Sequence, residues 1–261
     1  MNIMIETKGL SKYYGKGNEI KAVDGLDLTV YEGETFGLLG PNGAGKTTVI
    51  RLLNCIIKPS GGSATVKGYD IREQPDDVKR VTGMLAESPG LYEKLSGYEF
   101  LEFMGALYDV PGDILGGRID ELLKLFDLDG RRNHLIEGYS SGMKQKLLLA
   151  AALIHDPPIV FLDEPTSTLD PRAAHMVKEL IEELADNAGK TILMCSHLLP
   201  VVEELCDRIG IINNGRLIAI GTVEEIMSQS GKGTLEEAFI SLTGGLVNGE
   251  LLAWREHNVQ P

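Results

Sequence analysis

No stretch of this chain is apolar for long enough to cross a membrane. The longest apolar run, residues 147–154, is stopped by His155-Asp156-Pro157-Pro158, whereas a spanning helix needs about 20 apolar residues. Action at a membrane would therefore require a partner that supplies the spanning part. Cysteine is scarce too. Cys55, Cys195 and Cys206 are widely spaced and odd in number. Neither a disulfide framework nor a zinc spacing is visible, and the expected setting is reducing and cytosolic. The opening Met1-Asn2-Ile3-Met4-Ile5-Glu6 lacks the basic segment and long apolar core of a signal peptide. Positive charge is also in deficit. Lys and Arg number 25 against 38 Asp and Glu, a net charge of −13. A phosphate backbone would be repelled on average, which argues against a nucleic-acid partner. No repeat or low-complexity segment is evident. What remains is 43% hydrophobic and 24% charged over 261 residues, the profile of a globular protein with one large domain, or one domain plus an extension.

The apolar pattern changes character along the chain. Residues 20–30 show period-two spacing through Val23, Leu28 and Val30, and residues 63–67 form a short run bounded by glycines. From about residue 96 to 153 the spacing turns helical, through Leu101, Met104, Leu107 and then Ile119, Leu122, Leu123, Phe126. Three short buried strands are expected at 159–162, 191–195 and 209–212, alternating with helices at about 172–187 and 199–206. That alternation predicts a parallel sheet with crossover connections. The chain thus reads as α/β, a mixed sheet carrying a helical insertion between about 90 and 155. Leu235, Ala238, Phe239 and Leu242 form an amphipathic stripe in a separable tail, expected to pack on its own domain, with a dimer contact as the alternative.

The most informative segment is Gly40-Pro41-Asn42-Gly43-Ala44-Gly45-Lys46-Thr47, which fits G-x-x-x-x-G-K-[ST]. The strand-like Thr35-Phe36-Gly37-Leu38-Leu39 precedes it, and the helix-like Thr48-Val49-Ile50-Arg51-Leu52-Leu53 follows. Glycines let the backbone approach phosphates, successive N–H groups point inward, and the positive end of the helix adds to the field. Lys46 is expected to reach the β- and γ-phosphates and the Thr47 hydroxyl to ligate Mg²⁺. A second motif, Ile159-Val160-Phe161-Leu162-Asp163-Glu164, is an apolar strand ending in two acids. Its carboxyl end belongs beside the phosphate loop, where such sheets bind ligands. Asp163 suits the Mg²⁺ shell, and Glu164, on the other side, suits proton abstraction from an attacking water.

With these motifs in order, the chain resembles an ABC-type ATPase subunit over about residues 3–225. The decisive element is Tyr139-Ser140-Ser141-Gly142-Met143-Lys144-Gln145-Lys146, similar to the family's LSGGQ signature. The resemblance implies an ABC-type P-loop NTPase: a mixed sheet core, an N-terminal antiparallel β subdomain, the helical insertion, and a C-terminal helical extension over 226–261. It implies an ATP site formed by Tyr14 on adenine, Gly40 to Thr48 on the phosphates, and Ser140, Ser141, Gly142 and Asp170 from a second copy. Tyr13 is a rival for the stacking role. Ser167-Thr168-Leu169-Asp170 resembles the loop at the subunit interface, and Asp170-Pro171 also reads as an N-cap with a first-turn proline. His197, in Ser196-His197, resembles the histidine that contacts the γ-phosphate. His134, His155, His175 and His257 show no metal-ligand spacing.

Two departures stand out. Glu87 takes the place of the family's glutamine, implying a further Mg²⁺-side ligand that accepts hydrogen bonds but does not donate them. Ser141 and Met143 replace a glycine and a glutamine of the signature. The γ-phosphate donors and Glu164 survive both, so activity is expected. The implied function is ATP hydrolysis in a head-to-tail homodimer, with catalysis by Glu164, His197 and Lys46, ATP and Mg²⁺ bound, and a membrane permease docked near residues 88–100 on the cytoplasmic face. Two rivals are a soluble ATPase of the same fold, acting in translation, repair or cofactor assembly, and an ATP-regulated assembly protein. A single phosphate loop and the lack of coiled-coil or zinc modules speak against the first. The intact Lys46, Asp163, Glu164 and His197 speak against the second.

Overall fold

The computed structural model describes residues 2–86, 90–166 and 169–244. Two sheets divide them. β1 (Ile3–Tyr14), β2 (Ile20–Tyr31), β4 (Gly61–Val66) and β5 (Tyr69–Asp70) make an antiparallel sheet in the order β2-β1-β4-β5. The second sheet runs β10-β9-β3-β8-β7-β6, with β10 (Arg216–Gly221), β9 (Arg208–Asn213), β3 (Thr35–Leu39), β8 (Thr191–Ser196), β7 (Ile159–Asp163) and β6 (Thr82–Leu85). Its strands are parallel except β10, which pairs antiparallel with β9. The expected mixed α/β sheet and antiparallel subdomain are both present.

β7 and β8 are buried along their whole length, which explains their uninterrupted apolar runs. Successive side chains face opposite ways, so each strand feeds two cores. Val160, Leu162, Ile192 and Met194 join one with Leu101, Ile119, Leu123, Phe126 and Leu147. Ile159, Phe161, Leu193 and Cys195 join the other with Leu10, Val23, Leu28, Val49 and Leu53. The second core packs α1 (Lys46–Leu53) beneath the antiparallel sheet.

α2 (Pro75–Arg80) precedes β6. Between β6 and β7 stand α3 (Gly97–Leu107), α4 (Gly112–Leu125) and α5 (Ser141–Leu153), the helical insertion. α3 opens with a capping box in which Ser96 and Glu99 satisfy each other's N–H groups. α6 (Pro171–Asp186) and α7 (Leu199–Leu205) are the crossovers of the parallel strands. α8 (Val223–Ser230) and α9 (Leu235–Thr243) close the described chain. Ile226, Leu235 and Ala238 are buried in the helical-side core, with Phe239 and Leu242 packed against it.

Candidate functional site

Three neighbouring parallel strands, β3, β8 and β7, end at one edge of the sheet, where Leu39 pairs with Ser196 and Asp163 with Cys195. The register therefore delivers three following segments to one place: Gly40 onward, His197 and Glu164. Gly40 admits no side chain, since a Cβ would lie 2.4 Å from the Ile212 carbonyl oxygen. Gly45 has φ 111, and its Cβ would meet the Ala22 carbonyl oxygen at 2.2 Å. No side chain caps α1, so its first-turn N–H groups remain available to an anion. Lys46 Nζ donates to the Gly40 carbonyl at 2.7 Å and lies 3.4 Å from that of Pro41. Asn42, Gly43, Ala44, Gly45, Lys46, Thr47 and Thr48 line a cavity of about 250 Å³ with Ala22 and Glu164.

Glu164 occupies the left-handed region at φ 52, an uncommon conformation for a residue with a side chain. Its N–H donates to the Cys195 carbonyl at 2.9 Å, which holds the turn. Oε1 lies 3.6 Å from Lys46 Nζ, and Oε2 is 2.9 Å from Nδ1 of His197. The Lys46 and Glu164 side chains are each 7% exposed, that of His197 40%. A buried acid is thus flanked by a buried ammonium and by a partly exposed imidazole. The Thr47 hydroxyl stands 3.2 Å from Oδ1 of Asp163. A hydroxyl and a carboxylate are hard oxygen donors of the kind that hold Mg²⁺, which takes few protein ligands and completes its shell with phosphate and water. No cluster of three His, Cys, Asp or Glu suited to a metal occurs among the described residues, and Mg²⁺ does not require one. Glu87 lies outside the described residues, as do Ser167 and Thr168.

A second cleft, of about 500 Å³, opens where α5 and α6 begin. Ser140 caps α5, accepting from the Met143 N–H at 3.3 Å, and Asp170 caps α6, accepting from Arg172 and Ala173 at 3.0 Å. Ser140, Gly142 and Asp170 line it with Met143, Lys146 and Arg172. Ser141 starts α5. No described residue lines both clefts: Lys46, Thr47 and Glu164 line the first, and Ser140, Gly142 and Asp170 the second.

The tyrosines also separate. The Tyr13 hydroxyl donates to Asp24 at 2.7 Å, whereas Tyr14, at the end of β1, is 41% exposed with Lys12 Nζ 5.1 Å from its ring. Sequence reasoning overlooked Ala22 and Asp24. Ala22 contributes a backbone wall, which no side-chain pattern marks. The carboxyl of Asp24 is held down to about 2, first by the Tyr13 hydroxyl and then by the Arg216 guanidinium.

The profile of the ABC transporter family matches residues 23–167. The chain is 42% identical over 231 residues to the daunorubicin/doxorubicin resistance ATP-binding protein DrrA of Streptomyces peucetius, covering 88% of this chain and 69% of DrrA. It is 38% identical to the ABC transporter ATP-binding protein NatA of Bacillus subtilis, covering 88% of this chain and 94% of NatA. Among solved structures, an ATP-binding subunit of an ABC transporter matches with a TM-score of 0.83 at 33% identity, over 92% of this chain and 99% of that one. The ATP-binding cassette MJ0796, dimeric in a post-hydrolysis state with ADP and Pi, matches with a TM-score of 0.77 at 26% identity, over 84% and 98%.

Proposed function

This chain belongs to the ABC transporter family, and from that premise we propose how its two clefts share the work. It is the ATP-binding and ATP-hydrolysing subunit of an ABC transporter. In our reading the triphosphate lies along residues 40–48, met by the N–H groups that open α1 and by Lys46. Lys46 exchanges the Gly40 carbonyl for phosphate oxygens, a charge-assisted contact roughly twice as strong as a neutral one. Tyr14 stacks on adenine. Thr47 and Asp163 would hold Mg²⁺, which would supply neutralisation of phosphate charge.

Glu164 takes the proton of the attacking water. The observation that carries this role is its placement between Lys46 and His197 at the mouth of the phosphate cavity. His197 orients the carboxylate through Nδ1 and presents the rest of its ring toward the nucleotide. Ser140, Ser141, Gly142 and Asp170 serve the nucleotide of a second copy, which gives a head-to-tail homodimer. Their separation from the phosphate loop supports that arrangement, as does the dimeric form of the similar cassette MJ0796. A separate permease docks beside α3, where Leu91, Tyr92, Leu95 and Phe103 line an apolar groove of about 580 Å³. No described helix is long and apolar enough to cross a membrane, so the permease holds the subunit at the cytoplasmic face. The similarity to DrrA, a daunorubicin/doxorubicin resistance protein, supports export as the direction.

Glu164→Gln tests the catalytic assignment. An amide cannot accept the proton, so phosphate release falls by about a hundredfold or more. ATP binding persists, and removing the interfacial charge lets ATP hold the dimer together in size-exclusion chromatography. Near-normal turnover overturns the role of Glu164.

A further inference from the structure

Asp24, on β2, lies beside the phosphate cavity without lining it, and three elements converge on its carboxylate. Oδ1 accepts from the Tyr13 hydroxyl of β1 at 2.7 Å. Oδ2 accepts from Nε and Nη2 of Arg216, on β10, at 2.9 and 2.6 Å, and lies 3.4 Å from Lys21 Nζ. Only 12% of the side chain is exposed. The backbone extends the junction. The Asp24 N–H donates to the Gly215 carbonyl at 2.8 Å, and the Gly215 N–H donates to that of Ala44, in the phosphate loop, at 2.9 Å. The contact is close, since a Cβ on Gly215 would lie 2.7 Å from the Lys21 carbonyl oxygen. The end of β1, the β9–β10 turn and the phosphate loop are therefore joined through Asp24 and Gly215.

This junction also decides how the tyrosine pair divides. Consecutive strand residues face opposite sides. Tyr13 pairs across the strands with Lys21, and Tyr14 with Ile20. With the Tyr13 hydroxyl fastened to Asp24, Tyr14 is turned the other way. An ionised carboxylate fixed by several charge-assisted donors is a stiff anchor, and the low pKa of this one keeps it ionised at every pH where the protein would work.

We propose that Asp24 is a positioning residue for the nucleotide base: by fixing Tyr13 and Arg216 it sets where Tyr14 stands relative to the phosphate loop. This rests on the reading that Tyr14 stacks on adenine above that loop. Loss of the carboxylate frees the end of β1, yet it leaves Lys46, the loop N–H groups and the backbone link from Asp24 through Gly215 to Ala44 in place. The cost then falls on the base contact and spares the phosphate contacts.

Calorimetric titration of Asp24→Ala, Tyr13→Phe and Tyr14→Ala with ATP, and separately with inorganic tripolyphosphate, both with Mg²⁺, separates these effects. Asp24→Ala raises the ATP dissociation constant about fivefold, no more than Tyr14→Ala itself, and Tyr13→Phe about threefold, part of one lost base stack. Tripolyphosphate binding by both variants stays within about twofold of wild type, because no base is present to be misplaced. Thermal melts establish that each variant is folded; should Asp24→Ala not fold, Tyr13→Phe decides alone. Equal weakening of both ligands makes Asp24 a merely structural residue and overturns the proposal, as does unchanged ATP affinity in a folded variant. If Tyr14→Ala weakens ATP while the other two do not, the proposal falls and the stacking reading stands. If Tyr14→Ala changes nothing, both fall.

Discussion

Lys46 shows how one residue is prepared for a ligand. Its ammonium is buried, hydrogen-bonded to the Gly40 carbonyl and 3.6 Å from Glu164, so its desolvation cost is already met within the fold. In the proposed binding mode, a triphosphate entering residues 40–48 finds the charge in place. Removing it should matter more than removing a stacking ring. Lys46→Ala is expected to weaken ATP binding by about tenfold to a hundredfold, the scale of one hydrogen bond to a charged group. Tyr14→Ala should cost less, toward the low end of the roughly 1–3 kcal/mol of a base stack. Titration of both variants under one buffer checks the order; a larger loss from Tyr14→Ala reverses the assignment of the dominant contact. The sequence resemblance favours Tyr14 with Tyr13 as a rival, and offers no physical reason for the choice, because both precede a glycine turn. What separates them is a partner on β2 that itself answers to Arg216, 192 residues further along the chain. No local pattern carries such a contact.

At the scale of elements, legibility followed locality. The loop between β3 and α1, the strand β7 with its two acids, and the cap of α5 each lie within a dozen consecutive residues, and all were readable as contiguous motifs. α2 has six residues and β10 alternates between half-buried and exposed positions, so neither offers a long enough period to be recognised. The amphipathic stripe of the tail predicts packing on its own domain. Two residues of that stripe, Leu235 and Ala238, are fully buried in the helical-side core. Leu235→Ala should therefore destabilise the protein by about 2–5 kcal/mol, as for other buried leucines. Urea unfolding with an unchanged m-value checks this. A shift below about 0.5 kcal/mol would mean that α9 detaches before the rest unfolds.

At the scale of the molecule, acid sensitivity should centre on His155. Nε2 faces the Thr82 carbonyl at 3.0 Å, so it carries the hydrogen, and the ring stacks on Tyr108 at 3.7 Å. Nδ1 is buried with no hydrogen-bond partner among the described residues. Burial pushes its pKa down to about 4, below the unfolded value near 6.5. The unfolded chain thus binds the proton more readily. The stability contribution is complete above about pH 6.5 and is lost as pH falls toward 4, by roughly 3 kcal/mol at most. Urea midpoints of wild type should drop between pH 7 and 4.5, and His155→Gln should flatten that drop; parallel curves would remove His155 as the cause. A tagged subunit should also recover a polytopic membrane protein from detergent extract, and ribosomes or DNA in its place would favour a soluble ATPase. The two clefts, which share no described lining residue, carry a kinetic consequence. If each closes only on the other copy, turnover per molecule rises with protein concentration, and a dilute free subunit idles. Two subunits tethered side by side on a permease would meet at an effective concentration of about millimolar, so assembly itself would act as the throttle on ATP consumption.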